Sequence, residues 1–184
     1  MHTSTQWTFG IITLGTLIGI VLMVTGWATM PPLPYLWHKA LHLAGMTLLV
    51  GNIPVTSLWM LMAERSGEPK IMHFSARMVD WADAWIMAPG VVLLAINGLF
   101  MAGNHGGIYG TPWLISALVF FSLSGLLWGI FLIPLQHKII ALSQPSKTEK
   151  ILPPEFFSAL HRWYFWGTLA TLTPLAGVFV MVLK

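Results

Sequence analysis

The chain contains no cysteine, and only 8% of its 184 residues are Asp, Glu, Lys or Arg. The absence of cysteine excludes disulfide scaffolds, cysteine-ligated zinc, iron–sulfur clusters and thiol nucleophiles. A soluble domain averages about 25% charged residues, so this chain cannot cover a water-facing surface. The shortage of charge therefore excludes a soluble enzyme, a nucleic-acid-binding protein and a disordered tail.

Apolar residues dominate what is present. They make up 56% of the chain, and the mean hydropathy is +0.75. The net charge of +3 is the balance of nine cations and six acids, and most of the cations lie close to the ends of long apolar runs. Cations in such positions set the topology of a membrane protein rather than bind nucleic acid. We therefore predict an all-α integral membrane protein whose principal partner is the lipid bilayer.

Five apolar runs are long enough to cross the hydrocarbon layer, which takes about 20 residues. The longest stretch without a formal charge, 84–137, is divided by a segment rich in Gly and Pro. We expect a four-helix bundle in residues 36–184, and an additional helix with a Pro-rich loop in residues 1–35. The five predicted helices are Trp7–Trp27, Ala40–Met62, Arg77–Ala102, Trp113–His137 and Phe156–Leu183.

The cations are distributed unequally between the two sides of these helices. Only Lys39 and Lys184 lie on the side opposite the N-terminus. The positive-inside rule then predicts a bacterial inner-membrane protein with a cytoplasmic N-terminus and an extracytoplasmic C-terminus. The cations on the predicted cytoplasmic side are Arg65, Lys70, Arg77, Lys138, Lys147, Lys150 and Arg162.

Polar residues inside a membrane are costly, so each is a functional candidate. One stripe of the second helix, about 80° wide, contains two histidines and a glycine beside which a backbone or a flat ligand could pack. One interpretation is haem ligation by His42, and the other is helix packing through a groove of small residues, with His38 at the membrane interface. The stripe consists of His38, His42, Gly45, Leu49, Asn52 and Thr56.

The third and fourth helices carry comparable stripes. At the cytoplasmic end of the third, Arg77 is expected to form a buried ion pair with Asp80 or Asp83, or to bind haem propionates or an anionic substrate. Pro89 predicts a kink in this helix. The stripe of the third helix is His73, Arg77, Asp80, Ala84, Ala88, Val91, Ala95, Gly98 and Ala102, and that of the fourth is Ser122, Gly125, Gly129 and Gln136.

The remaining histidines offer two further ligand sets. His73, His137 and His161 are all expected near the cytoplasmic boundary, where three imidazoles suit copper or zinc and two suit haem b. Histidine is also common at membrane interfaces without any ligand. His105, in the outer Gly-rich loop, could reach a haem held by His42, or could be an ordinary loop residue.

Several short segments carry a resemblance to a known family. They are 39–45 (KALHLAG), Arg77 with 83–89 (DAWIMAP), 133–136 (IPLQ), 161–167 (HRWYFWG) and 181–184 (MVLK). With these segments in this order, the chain resembles DUF2269, a bacterial family of predicted integral membrane proteins of unknown function. The resemblance covers about residues 36–184 and implies a four-helix membrane protein with no established activity.

A more distant likeness is to the membrane-embedded protoporphyrinogen oxidases, which are four-helix, haem-associated proteins. The histidine that opens a helix in those enzymes corresponds to His42 here. Their characteristic lysine would fall near Ser116, which is a serine in this chain. The resemblance therefore implies haem association through His42 rather than the oxidase reaction.

These observations favour a haem-b-binding protein that serves electron transfer, or an accessory subunit of a membrane redox complex. His42 is the expected axial ligand, and His105 or His38 would supply the second from the outer side. One alternative is a structural or assembly subunit without cofactor, whose small-residue stripes form protein–protein interfaces. Another is an enzyme similar to the protoporphyrinogen oxidases.

Overall fold

The computed structural model describes residues 21, 33–103, 111–144 and 151–183. These residues are helical throughout, apart from short turns, which confirms the all-α class. The helices are α1 (Tyr35–Ser66), α2 (Pro69–Ala82), α3 (Ala88–Gly103), α4 (Pro112–Leu127), α5 (Ile133–Leu142) and α6 (Pro154–Leu183), with π-helical turns at Asp83–Met87 and Trp128–Leu132.

Four long helices are apolar enough to cross a membrane: α1, α2 joined to α3, α4 joined to α5, and α6. The described residues thus supply four spans rather than the five expected from the sequence. The predicted first helix, Trp7–Trp27, lies outside the described residues except for Val21. The division into residues 1–35 and a bundle of residues 36–184 stays a prediction.

The helices extend beyond the predicted ones at several of their ends. The second long helix begins at Pro69 rather than near Arg77, and the fourth predicted helix continues to Leu142 rather than His137. Charge-free runs mark only the part of a helix that lies in hydrocarbon, so they miss amphipathic ends. In α2 one such end buries Met72, Ala76 and Val79, each at most 2% exposed.

Glycine and proline set the ends of two of these helices. Gly67 has a φ of 67°, a left-handed conformation that ends α1 and is strained for any residue with a side chain. Pro112 occupies the first turn of α4, where a missing N–H costs nothing, and Thr111 precedes it in an extended conformation.

Both π-helical turns end two residues before a proline, Pro89 in the first case and Pro134 in the second. Proline has no N–H to donate, and its ring clashes with the carbonyl four residues earlier. One extra residue in the preceding turn relieves that clash. The distortion expected at Pro89 therefore takes the form of a π turn. Pro54 and Pro174 lie inside helices that have no such turn.

Each π turn rotates the residues after it by about 100° relative to an uninterrupted α-helix. The predicted stripe of the fourth helix is consequently divided: Ser122, Gly125 and Gly129 are exposed, whereas Gln136 is buried. The predicted stripe of the third helix is divided as well, but here exposed Arg77 and buried Ala84 already differ at the start of the π turn, so the turn is not the cause. The small-residue stripe expected on each of these helices is therefore not a single surface.

The described chain forms two compact units. The first contains residues up to Val55 and those from Trp81 to 103, so it consists of the first part of α1 with the π turn and α3. The second contains Thr56–Asp80 and the described residues after Thr111, so all four long helices contribute to it. The core of the second unit is apolar and includes Met72, Ile139, Ile140, Phe156 and Leu160, all at most 2% exposed.

Candidate functional site

The polar stripe of α1 forms the inner surface of the first unit, as the sequence predicted. His38, Gly45, Leu49 and Asn52 are buried, and His42 is partly buried. Pro54 causes no change of register in α1, so the 3.6-residue period continues along this stripe. The residues that line it therefore face α3 and the π turn.

Gly45 is a point of close approach between α1 and α3. A Cβ atom on Gly45 would lie 2.5 Å from the backbone nitrogen of Leu94 and 2.6 Å from the carbonyl oxygen of Gly90. Gly90 is equally restricted, because a Cβ there would lie 2.7 Å from the side chain of Leu48. The sequence left open whether a backbone or a flat ligand occupies the space beside Gly45, and the structure places a helix backbone there. The expected room for the edge of a macrocycle at this position is a wrong prediction.

His42 lies one turn from that contact and is bonded across it. Its Nδ1 donates a hydrogen bond to the carbonyl oxygen of Leu94 at 2.8 Å. A carbonyl only accepts, so the proton is on Nδ1 and a neutral ring keeps its lone pair on Nε2. Gly98 makes room for the ring, since a Cβ there would lie 3.0 Å from Cε1 of His42.

His38, one turn closer to the start of α1, also uses its Nδ1 in a hydrogen bond to α3. Its Nδ1 is 2.9 Å from Oδ1 of Asn97, whose Nδ2 donates to the carbonyl oxygen of Leu93 at 2.8 Å. Because the amide nitrogen is committed to that carbonyl, Oδ1 is the acceptor and Nδ1 of His38 is the donor. The ring of Phe100 stacks on His38 with centroids 4.6 Å apart. The predicted interfacial histidine is therefore a buried residue with its orientation set by α3.

A third polar contact joins Asn52 of α1 to the π turn. Nδ2 of Asn52 donates to Oδ1 of Asp83 at 2.8 Å. The sequence had both residues in view but paired Asp83 with Arg77. Six residues separate Arg77 from Asp83, a rotation of about 600°, so the two side chains leave an α-helix about 120° apart.

Arg77 lies in the second unit, with its side chain exposed. In residues 33–103, 111–144 and 151–183 it forms no ion pair, and Asp80 is partly buried. The expected buried pair of Arg77 with Asp80 or Asp83 is thus absent from this part of the chain. The reason is geometric, because the buried side of α2 is occupied by Met72, Ala76 and Val79.

The three histidines predicted near the cytoplasmic boundary lie in the second unit, and each has its own surroundings. Nδ1 of His73 is 3.1 Å from Oγ of Ser143, which is fully buried. His137 is partly buried, while the side chain of His161 is 68% exposed. Among the described residues no three His, Asp or Glu side chains are close enough to share a metal ion, so the predicted convergence is not observed.

One cluster that sequence reasoning missed lies beside His161. Nε2 of His161 is 3.5 Å from one carboxylate oxygen of Glu64, and the hydroxyl of Tyr164 donates to the other at 3.0 Å. Glu64 belongs to α1 and the other two to α6. The i, i+3 spacing of His161 and Tyr164 places them on one helix face, but nothing in the sequence pairs that face with Glu64.

His105 and Ser116 are the remaining residues singled out from the sequence. His105 lies outside the described residues. Ser116, at the position where the protoporphyrinogen oxidases have lysine, is exposed, and its hydroxyl donates to the carbonyl oxygen of Pro112 in its own helix at 3.2 Å.

Comparison with known proteins places the fold in context. No curated protein and no solved structure matches the chain. One family model matches residues 36–184, which includes every residue of the four long helices except Tyr35. The resemblance noted from the segments around His42 and Asp83 is thereby confirmed for the family. The chain belongs to DUF2269, a family described as predicted integral membrane proteins.

Proposed function

We propose that the protein binds haem b through His42 and serves electron transfer, either by itself or as an accessory subunit of a membrane redox complex. The observation that carries this proposal is the hydrogen bond from Nδ1 of His42 to the carbonyl of Leu94. Metal-ligating histidines commonly donate their second ring nitrogen to such an acceptor, which orients the ring and makes it a better ligand. Nε2 of His42 is then the iron ligand.

The surroundings of His42 limit where the porphyrin can lie. The contact between Gly45 and Gly90 closes the space between α1 and α3 at the next turn, so a haem held by His42 could not occupy the space beside these glycines. Nε2 of His42 has no hydrogen-bond partner among the described residues. A polar ring atom without a partner in an apolar surrounding costs roughly 2–7 kcal/mol, a cost that iron ligation would offset.

A haem held by two imidazoles would need a second histidine besides His42. His38 does not suit this role, because it lies one turn from His42 on the same face of the same helix, and its ring is buried against Phe100. His105 of the outer loop stays the candidate from this chain. A histidine of a partner redox subunit is the other source.

A second function is favoured by a specific observation. The two α1 histidines already link α1 to α3, and the Gly45–Gly90 contact packs the two backbones closely. A structural or assembly subunit without cofactor would need only these contacts. The contacts at Ser116 do not favour a protoporphyrinogen-oxidase activity, and we do not propose it.

The absorption spectrum of the purified protein distinguishes the two functions. After expression with an ample haem supply, we expect a Soret band from the wild-type protein in detergent. His42→Ala should lose most of this band while far-UV circular dichroism stays helical. His161→Ala is the matched control, because His161 is exposed and lies in the second unit.

Two results would contradict the haem proposal. A wild-type preparation without haem would leave the assembly subunit as the better function. A full Soret band in His42→Ala would place the iron on another histidine. If His42→Ala does not insert, His42→Gln retains a polar side chain and provides the same comparison.

We also propose the orientation that the cation distribution indicates, with the C-terminus outside the cytoplasm of a bacterial cell. A reporter fused after Lys184 should then read as extracytoplasmic, and one inserted in the loop 143–154 as cytoplasmic. The physical reason is that most cations lie on one side of the spans. Reports from the same compartment would show that the proposed orientation is wrong.

A further inference from the structure

We propose that the outward face of α2, formed by Lys70, Phe74 and Arg77, binds the phosphate of an anionic phospholipid, with Arg77 as the principal ligand. This binding site is independent of the proposed haem site, because it lies in the second unit and uses neither histidine of α1.

The three residues occupy one side of the helix. Their spacing is i, i+4 and i+7, which places them within one stripe of an α-helix. All three are exposed, and Phe74 is 64% exposed. The opposite side of α2 packs into the apolar core through Met72 and Val79, which are 2% and 1% exposed. The outward face therefore points away from the protein, toward lipid or the headgroup layer.

Arg77 needs a counter-charge on this face. Its guanidinium does not lose its proton, and a charged side chain beside exposed apolar surface in a membrane is costly. Among the described residues Arg77 has no ion pair, and the face contains two cations and no carboxylate. Asp80 lies about 60° around the helix from Arg77 and is partly buried.

A lipid phosphate supplies the negative charge that this face lacks. A guanidinium binds phosphate through two parallel hydrogen bonds, and Lys70 adds a second positive charge on the cytoplasmic side of Phe74. Anionic lipids of the cytoplasmic leaflet attract basic segments next to a membrane span. Phe74, between the two cations, presents its ring to the apolar part of the same lipid layer.

Native mass spectrometry of the full chain in detergent, titrated with phosphatidylglycerol or phosphatidylcholine, tests this proposal. We expect wild-type protein to retain phosphatidylglycerol at least fivefold more than phosphatidylcholine. Arg77→Gln should remove most of this preference with unchanged thermal stability. Arg65→Gln, an identical charge change at the exposed end of α1, should leave it intact. Arg77→Lys should give an intermediate value, because it keeps the charge but loses the two-pronged hydrogen bond.

Three outcomes would overturn the proposal. The first is an unchanged lipid preference in Arg77→Gln, and the second is an equal loss in Arg65→Gln, which would indicate net charge alone. The third is full displacement of the lipid by millimolar inorganic phosphate, which would indicate a free-anion site. The haem content of Arg77→Gln separates this site from the haem site: it should equal that of wild type, and its loss would favour the propionate role.

Discussion

The two units of the chain hold their helices together by different means. In the first, many of the buried residues are small or polar, although Leu49 and Met87 are buried there too. Gly45 and Gly90 bring two backbones into contact, and His38, His42 and Asn52 are bonded across the interface. In the second, the centre is filled by large apolar side chains such as Phe156 and Leu160, both 0% exposed. The second unit has polar contacts as well: Tyr164, which donates to Glu64, is partly buried against this core, and Ser143, which bonds His73, is fully buried.

This difference bears on how polar side chains are oriented in the first unit. Lipid tails are as apolar as leucine, so two helices in a membrane gain little from hiding apolar surface from lipid. Close contact through glycine instead allows short polar bonds between helices. Such bonds orient imidazole rings, which an apolar core cannot do. The proposed haem site depends on the oriented polar side chains of the first unit, whereas the second unit is held mainly by its apolar core.

The largest effect should come from opening the core of the second unit. Phe156→Ala should lower the free energy of unfolding by about 3–5 kcal/mol, because a fully buried ring is replaced by a cavity. Phe179→Ala, in the same helix but 63% exposed, is the control. Thermal unfolding in detergent measures both. If the two variants were equally mild, the second unit would not depend on its apolar core.

An intermediate effect should come from separating the backbones of the first unit. A Cβ on Gly45 meets two backbone atoms, which cannot rotate away, so Gly45→Ala should cost about 1–3 kcal/mol. Gly51→Ala is the matched control on the same helix, because nothing lies within 4 Å of a Cβ there. Equal thermal stability of the two variants would show that glycine contact does not hold the first unit together.

The smallest effect should come from a single polar bond of the first unit. A double-mutant cycle of His38→Ala and Asn97→Ala isolates the bond between Nδ1 and Oδ1. Polar contacts between membrane helices average about 0.6 kcal/mol and reach about 1.7 kcal/mol, which is the coupling free energy we expect. A coupling near zero in thermal unfolding would mean that His38 is held by Phe100 stacking alone.

Sequence reasoning predicted the α1 stripe correctly and the stripes of the other two helices incorrectly. The α1 stripe continues through Pro54 with an unchanged period. The π turn before Pro134 shifts the period and separates Gln136 from Gly129. On the third helix, exposed Arg77 and buried Ala84 already differ where the π turn begins. Proline alone does not signal such a turn, since two of the four prolines in the interior of the long helices, Pro54 and Pro174, have none. Whether the clash is absorbed by an extra residue depends on the packing around each turn.

The sequence by itself determined that this is an all-α membrane protein, that it belongs to its family, and that His38, His42 and Asn52 share one helix face. Composition and a 3.6-residue period are local properties, so they can be read without a partner. Only the tertiary structure decided what each of these side chains bonds to. The acceptor of His42 is the backbone carbonyl of Leu94, 52 residues away. A backbone carbonyl is the same chemical group at every position, so only the packing of α1 against α3 selects which one His42 meets.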